Sequence, residues 1–364
     1  MITWREGIVV GVDARWGQVQ QVLVEVAGVD APVRALAYLN VVGAPVEGDR
    51  VLLNTNAIDR QLGTGGAAMV VAIPDRLPPV PPPSPGHIVK ARYTPQQMMV
   101  LGVDEQESPH HETLQDAGDL AGMPVVTADL HSALPAVLAG LRESRPQLKV
   151  AYVMTDSGAL PASFSRTLDG LREAGWLAGV VTVGQAFGGD LEAVNVHTGL
   201  LAARLVLDAD VAIVSQGPGN LGTGTRWGFS GTSAGEALNA AHILGGRAVA
   251  GLRVSQADAR ERHLGISHHS RTAYTRVALV PAELPVPQLP GDFGAKVSAQ
   301  ADDMVTASQQ RLTRIDVRVD GLLDALRESP VPLRTMGRDL DADPASFLAA
   351  AASGRHAAMI GSTC

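Results

Sequence analysis

Cysteine and lysine are both scarce in this chain, and each scarcity excludes something. The one cysteine among 364 residues is Cys364, so neither an internal disulfide nor a cysteine metal cage can be built. Lysine occurs only at Lys90, Lys149 and Lys296, and the formal net charge is −8, which argues against a surface that coats nucleic acid. No apolar run approaches the roughly 20 residues of a membrane span, so no membrane contact is expected. The opening MITWREGIVV lacks a basic stretch followed by an apolar one. No secretion signal is therefore expected, and a cytoplasmic location is.

What is abundant is apolar: 46% hydrophobic against 18% charged residues, enough for a substantial core. At 364 residues two units are expected. Residues 1–73 read as short strands with turns: GIVVGVDA, QVLVEVAG, RALAYLNVV, DRVLLNT and AAMVVAIP. That spacing predicts a small N-terminal β-barrel of the SH3-like or OB-like kind. Residues 74–86, with the run LPPVPPPSPG, form a stiff proline-rich linker. From 87 to 364 near-continuous apolar strands alternate with helical patterns, as in KVAYVMTD, WLAGVVTVG, DVAIVSQ and RAVAGLRVS. This predicts an α/β domain with a doubly wound, mostly parallel sheet covered on both faces. RIDVRVD, GLLDALRES and PLRTMGR continue it as strand, helix and strand, and DPASFLAAAASG as a final helix.

The site is expected where an α/β sheet binds ligands, at the carboxyl ends of its strands. After DVAIVSQ the chain runs GPGNLGTGTRWGFSG, with Gly217, Gly219, Gly222 and Gly224 around Asn220, Thr223 and Thr225. Glycines there can turn backbone amides toward an anion, and Thr223, Thr225 and Ser230 add hydroxyls. Gly217, Gly219 and Gly222 satisfy G-x-G-x-x-G, yet the next helix begins near Thr232, too late to face a pyrophosphate, and a P-loop lysine is missing. The structural alternative is a long turn kept glycine-rich for packing.

GTSAG at residues 231–235 matches a serine-hydrolase elbow. An elbow needs its serine on a sharp turn directly after a strand, and here a loop precedes it. Ser233 with Glu236 reads better as a helix start. Asp156-Ser157-Gly158 ends the KVAYVMT strand, which places Asp156 to act as acid, base or metal ligand, although Asp-Ser-Gly is also ordinary turn chemistry. The segment RHLGISHHSRT brings His263, His268, His269 and Arg271 together. Imidazole serves proton transfer and metal ligation alike, and Arg271 can clamp an anion. If extended, adjacent histidines point to opposite faces, so only one enters a given site. Asp129-x-His131, His110-His111-Glu112, Gln185, Asp190, His197 and Arg338 are weaker candidates. None of the histidine strings has a recognised zinc spacing. A metal held by scattered His and Asp remains open, and no cofactor is identified.

With GPGNLGTGTRWGFSG, RHLGISHHSRT and RTMGRDLDADPASFLAAAASG in view, the chain resembles a largely actinobacterial family of unknown function, DUF3866. The resemblance spans nearly the whole chain. It implies a cytoplasmic bacterial protein and carries over no catalytic role. The reading of the residues is an enzyme acting on a small anionic substrate, phosphorylated or nucleotide-like. Asp156, His268 and His269 would handle protons. Ser157, Gly217, Gly219, Asn220, Gly222, Thr223, Gly224, Thr225 and Arg271 would bind the substrate. The alternatives are a non-catalytic binding or assembly protein and, more weakly, a hydrolase using Ser233. Oligomeric state stays open.

Overall fold

The structure, a computed structural model, describes residues 2–60 and 66–361; Cys364 lies outside them. The chain divides into two compact units. One holds the residues up to Pro85 with Tyr93–Met98 and Ser163–Asp169, and the other holds the rest.

In the first unit five strands close a barrel: β1 (Trp4–Trp16), β2 (Val19–Val26), β3 (Val33–Tyr38), β4 (Arg50–Asn54) and β5 (Ala68–Ala72), in the order β1-β2-β3-β5-β4. Only β3 and β5 pair in parallel. Of the two arrangements expected, this crossing is the OB-like one. Alternation drives it: Val22, Val24 and Val26 of β2 face inward with Val9, Val51, Leu53 and Val70, while Glu25 faces water. Register shifts after Val9 and Val12 let the long β1 bend around the core.

In the second unit eight strands form one all-parallel sheet: β6 (Pro124–Ala128), β7 (Val150–Thr155), β8 (Gly179–Thr182), β9 (Leu191–Glu192), β10 (Val211–Gln216), β11 (Arg247–Ala250), β12 (Ala282–Pro287) and β13 (Leu312–Val317). Every residue of β6, β7, β8 and β10 is buried, because helices cover both faces. The main helices are α1 (Leu134–Ser144), α2 (Val196–Leu205), α3 (Ser233–Ile243), α4 (His268–Thr272), α5 (Gly291–Ala307), α6 (Leu322–Arg327) and α7 (Pro344–Ile360). α1 packs on α7 and α2 on α3.

The strand order is β9-β8-β7-β10-β6-β11-β12-β13. From β6 the chain steps outward through β7, β8 and β9, returns to insert β10 between β7 and β6, and then builds β11 to β13 on the far side. The reversal puts a crevice at the carboxyl ends of β10, β6 and β11. One expected strand differs. PLRTMGR folds as a two-residue hairpin, Arg334–Thr335 with Arg338–Asp339, outside the main sheet. Met336 and Gly337 both take positive φ, 49° and 81°, and that tight turn folds the segment back on itself.

Candidate functional site

Three strand ends deliver the central residues. β6 runs into Asp129, β10 ends in Gln216, and β11 continues through Gly251 to Arg253. The Gln216 side-chain amide donates to the Asp129 carbonyl at 2.7 Å and to Asn220 Oδ1 at 2.9 Å. The Tyr274 hydroxyl lies 3.1 Å from the Thr127 carbonyl and 2.9 Å from that of Gly251, bridging the ends of β6 and β11. Beyond Arg253 a short antiparallel pair, Val254–Ser255 with Gly265–Ile266, turns the chain back toward the sheet edge. Ser267 then caps α4, accepting from the His269 amide at 3.2 Å. His268 and His269 are helical rather than extended, and that reverses the expectation that only one can enter the site. Successive helical residues lie about 100° apart, close enough for both rings to face one cluster. Their centroids are 4.4 Å apart, and His263 lies 4.8 Å from His268 and 5.1 Å from His269.

The cluster is tightly wired. His263 Nδ1 sits 2.8 Å from Ser267 Oγ. Arg253 Nη1 lies 3.2 Å from His269 Nδ1, and Asp129 Oδ2 lies 3.6 Å from both. Burial pushes the Asp129 carboxyl up, but His269 and Arg253 outweigh it and hold the group below the usual carboxylate range. Burial, with the Arg253 charge next, pushes His263 down to about 3. Burial and then His269 bring His268 down to about 4. Both rings are neutral at pH 7. Three buried side-chain atoms here have no hydrogen-bond partner: Asp129 Oδ2, Gln216 Oε1 and His268 Nε2.

Outside the cluster lies an open cleft of about 410 Å³, whose lining includes Arg226, Arg262, His268, Arg271, Arg276 and Asp303. Arg271 pairs with Asp303 at 3.2 Å. The other three arginines are exposed and enter no ion pair among the described residues. The glycine loop abuts this cleft. Arg226 belongs to it, and a Cβ on Gly224 would lie 3.9 Å from an Arg262 nitrogen. Much of the loop is closed on itself. The Thr223 amide donates to the Gly228 carbonyl at 2.7 Å and the Leu221 amide to Ser230 Oγ at 3.0 Å. Asn220 Oδ1 accepts from Gln216 and Ser230. Gly222 bridges Phe229, while Thr223, Gly224 and Thr225 stay exposed at the tip.

Gly217 and Gly158 answer a packing demand. The Ala159 amide donates to the Pro218 carbonyl at 2.7 Å, so the two strand-end loops meet backbone to backbone. A Cβ on either glycine would collide with a carbonyl of the other loop. Asp156 and Ser157 line a second cleft, of about 230 Å³, with Asn195, Ser233 and Glu236. Asp156 Oδ2 accepts from the Gln185 amide at 2.8 Å. His268, His269 and Arg271 do not line that cleft, so the acidic partner that reaches His269 is Asp129. Ser233 opens α3 and donates to the Ser230 carbonyl at 3.2 Å, and no histidine lines its cleft. The glycines of GTSAG serve packing: a Cβ on Gly231 would lie 2.8 Å from Asp129 Cβ, and one on Gly235 would strike the Ala273 carbonyl.

The weaker candidates are placed as follows. Arg338 is committed to Asp343 at 3.0 Å and Asp258 at 3.3 Å. Asp190 accepts from the Val180 amide, His111 Nδ1 meets the Asp104 carbonyl, and His197 is exposed. His131 is buried against the Tyr152 hydroxyl at 2.9 Å. Arg253, Arg226, Arg262 and Arg276 went unsingled in the sequence as site residues. The one signal available was position, since Arg253 follows a strand end as Asp129 does.

Residues 34–354 match the family described as "Protein of unknown function (DUF3866)", and the chain belongs to that family. No curated protein and no solved structure matches it. No described helix is long and apolar enough to cross a membrane.

Proposed function

For this member of a family without an assigned activity, we propose an α/β enzyme acting on a small phosphorylated or nucleotide-like anion. One observation carries the reading: four arginines line one cleft of a chain whose net charge is −8. Arg271 is paired with Asp303, but Arg226, Arg262 and Arg276 have no carboxylate partner among the described residues; such like charges repel one another, and a bound anion relieves that cost. Guanidinium groups suit phosphate oxygens because their donors form a rigid fork. The loop tip supports the same reading, contributing Arg226 to the cleft. Position supports it as well, since through His268 the cleft adjoins the histidine cluster, which reaches the strand ends at Asp129 and Arg253. Chemistry on the anion falls to His268, which lines the cleft, and His269 behind it.

The test is titration of inorganic pyrophosphate into metal-free protein, for the wild type and for the triple variant Arg226→Ala, Arg262→Ala, Arg276→Ala. Charge-assisted hydrogen bonds contribute about 1.5–3 kcal/mol each, so losing two or more should weaken binding by roughly 100-fold or more. Affinity within twofold of the wild type would remove the cleft as the anion site. Product release from a panel of phosphorylated substrates separates an enzyme from a binding protein: a bound ligand that is never turned over supports the latter.

A further inference from the structure

We propose that His263, His268 and His269 bind one transition-metal dication of the zinc type. Each residue offers a ligand atom, and these atoms all lie within 4.8 Å of one another. A tetrahedral site with metal–nitrogen bonds of about 2.05 Å needs its nitrogens about 3.3 Å apart, so a bound ion would draw the three rings together. The wiring already orients two of the rings. Ser267 Oγ holds Nδ1 of His263, and Nδ1 of His269 faces Asp129 and Arg253. Nε2 is thereby left as the ligating atom of both.

His268 supplies the independent sign. Its Nε2 is buried and has no hydrogen-bond partner. A buried imidazole nitrogen left unpaired is costly, and ring stacking does nothing to satisfy it. Phe229, stacked on His269, accounts for the position of that ring but not for the orphaned nitrogen of its neighbour. Asp129 completes the arrangement. Its Oδ2 is likewise buried and without a hydrogen bond, 3.6 Å from His269 Nδ1. A carboxylate behind a ligating histidine fixes the tautomer with Nδ1 protonated and Nε2 free for metal. In the loaded site Nδ1–H of His269 donates to Asp129, and Arg253 pairs with the same carboxylate.

The donor set selects the metal. Three imidazoles without thiolate suit zinc, cobalt or ferrous iron, whereas magnesium and calcium want oxygen ligands. Three protein ligands also leave a tetrahedral ion one position for water or a substrate oxygen, as in catalytic rather than closed structural sites. Because His268 also lines the arginine cleft, metal and anion would share a wall. The proposal deepens the anion-processing reading of this site, and it fails separately from it.

The test uses full-length protein stripped with chelator and titrated with zinc chloride by calorimetry and with cobalt chloride by absorption. The expected result is one equivalent bound and the intense visible bands of four-coordinate cobalt. His268→Ala should weaken binding at least tenfold, and Asp129→Asn about 10- to 100-fold, as outer-shell partners do. Cadmium NMR of the wild type reads the same ligands without any variant, through a shift characteristic of nitrogen and oxygen donors. No saturable binding, the pale spectrum of octahedral cobalt, or undiminished affinity in His268→Ala overturns the proposal. Pyrophosphate binding by the metal-free protein reports on the arginine cleft alone, so the two failures are distinguishable.

Discussion

Phe229 lies flat on His269, with ring centroids 3.9 Å apart and planes 4° from parallel. The contact joins the end of the glycine loop to the first turn of α4, two segments that approach only in the folded chain. Both side chains are buried.

Phe229→Leu keeps the apolar volume and removes the stacking. Aromatic pairs contribute about 0.5–1.5 kcal/mol beyond their burial. Urea unfolding should show a loss of about 1 kcal/mol with an unchanged m-value. A variant as stable as the wild type would mean that the two rings are merely adjacent.

The glycines of the site should separate by mechanism. Gly158→Ala and Gly217→Ala force a Cβ against a carbonyl of the facing loop, so each should cost about 2 kcal/mol or more. Gly219 has φ +91° and open space around it, and Ala there should cost about 1 kcal/mol of backbone strain. Gly222 has neither constraint and should accept Ala with little change. Equal costs at all four positions would show that the loops can shift apart.

His131 makes stability depend on pH. Burial pushes its imidazole down from the usual 6.5 to about 4. Between those values the unfolded chain binds a proton that the folded chain refuses, so stability falls as pH drops from 6.5 toward 4. The slope is up to about 1 kcal/mol per pH unit. In His131→Asn the unfolding free energy should fall less over this interval than in the wild type. Parallel pH profiles would assign the acid sensitivity to other groups.

Lys90 is fully buried, donating to the Ala193 carbonyl at 2.9 Å with Glu192 Oε2 3.6 Å away. Burial lowers the lysine pKa and raises that of the glutamate, each partner working against the shift. Lys90→Met strands the carboxylate and should cost about 3 kcal/mol or more. Adding Glu192→Gln should recover part of that loss in thermal unfolding. A double variant less stable than Lys90→Met would show that Glu192 is held by Thr182 and Gly188 rather than by the lysine.

The framework was legible because its signals are local. Strands buried on both faces must be apolar at every position, as in VAYVMT and VAIVSQ, and barrel strands must alternate, as in β2. The GPGNLGTGT loop and the SHHSRT segment were visible for the same reason, since turn-permitting and polar residues crowd into short strings. The PLRTMGR segment misled because a strand-like composition does not reveal that Met336 takes positive φ. The direction of the histidine pair was not legible because it depends on conformation: the Ser267 cap starts a helix, and the opposite-faces rule holds only for an extended chain.

Sequence by itself therefore determined the class of most segments: strand, helix or glycine-rich loop. Hydrophobic periodicity and turn chemistry act over a few residues. Only the tertiary structure decided which strand ends meet. β10 inserts between β7 and β6, and this brings Gln216 onto Asp129 across 87 residues of chain. The same packing places Arg253 and His269 beside that carboxylate. Such partners are chosen by burial and by the crossing of the whole sheet, and no local pattern encodes them.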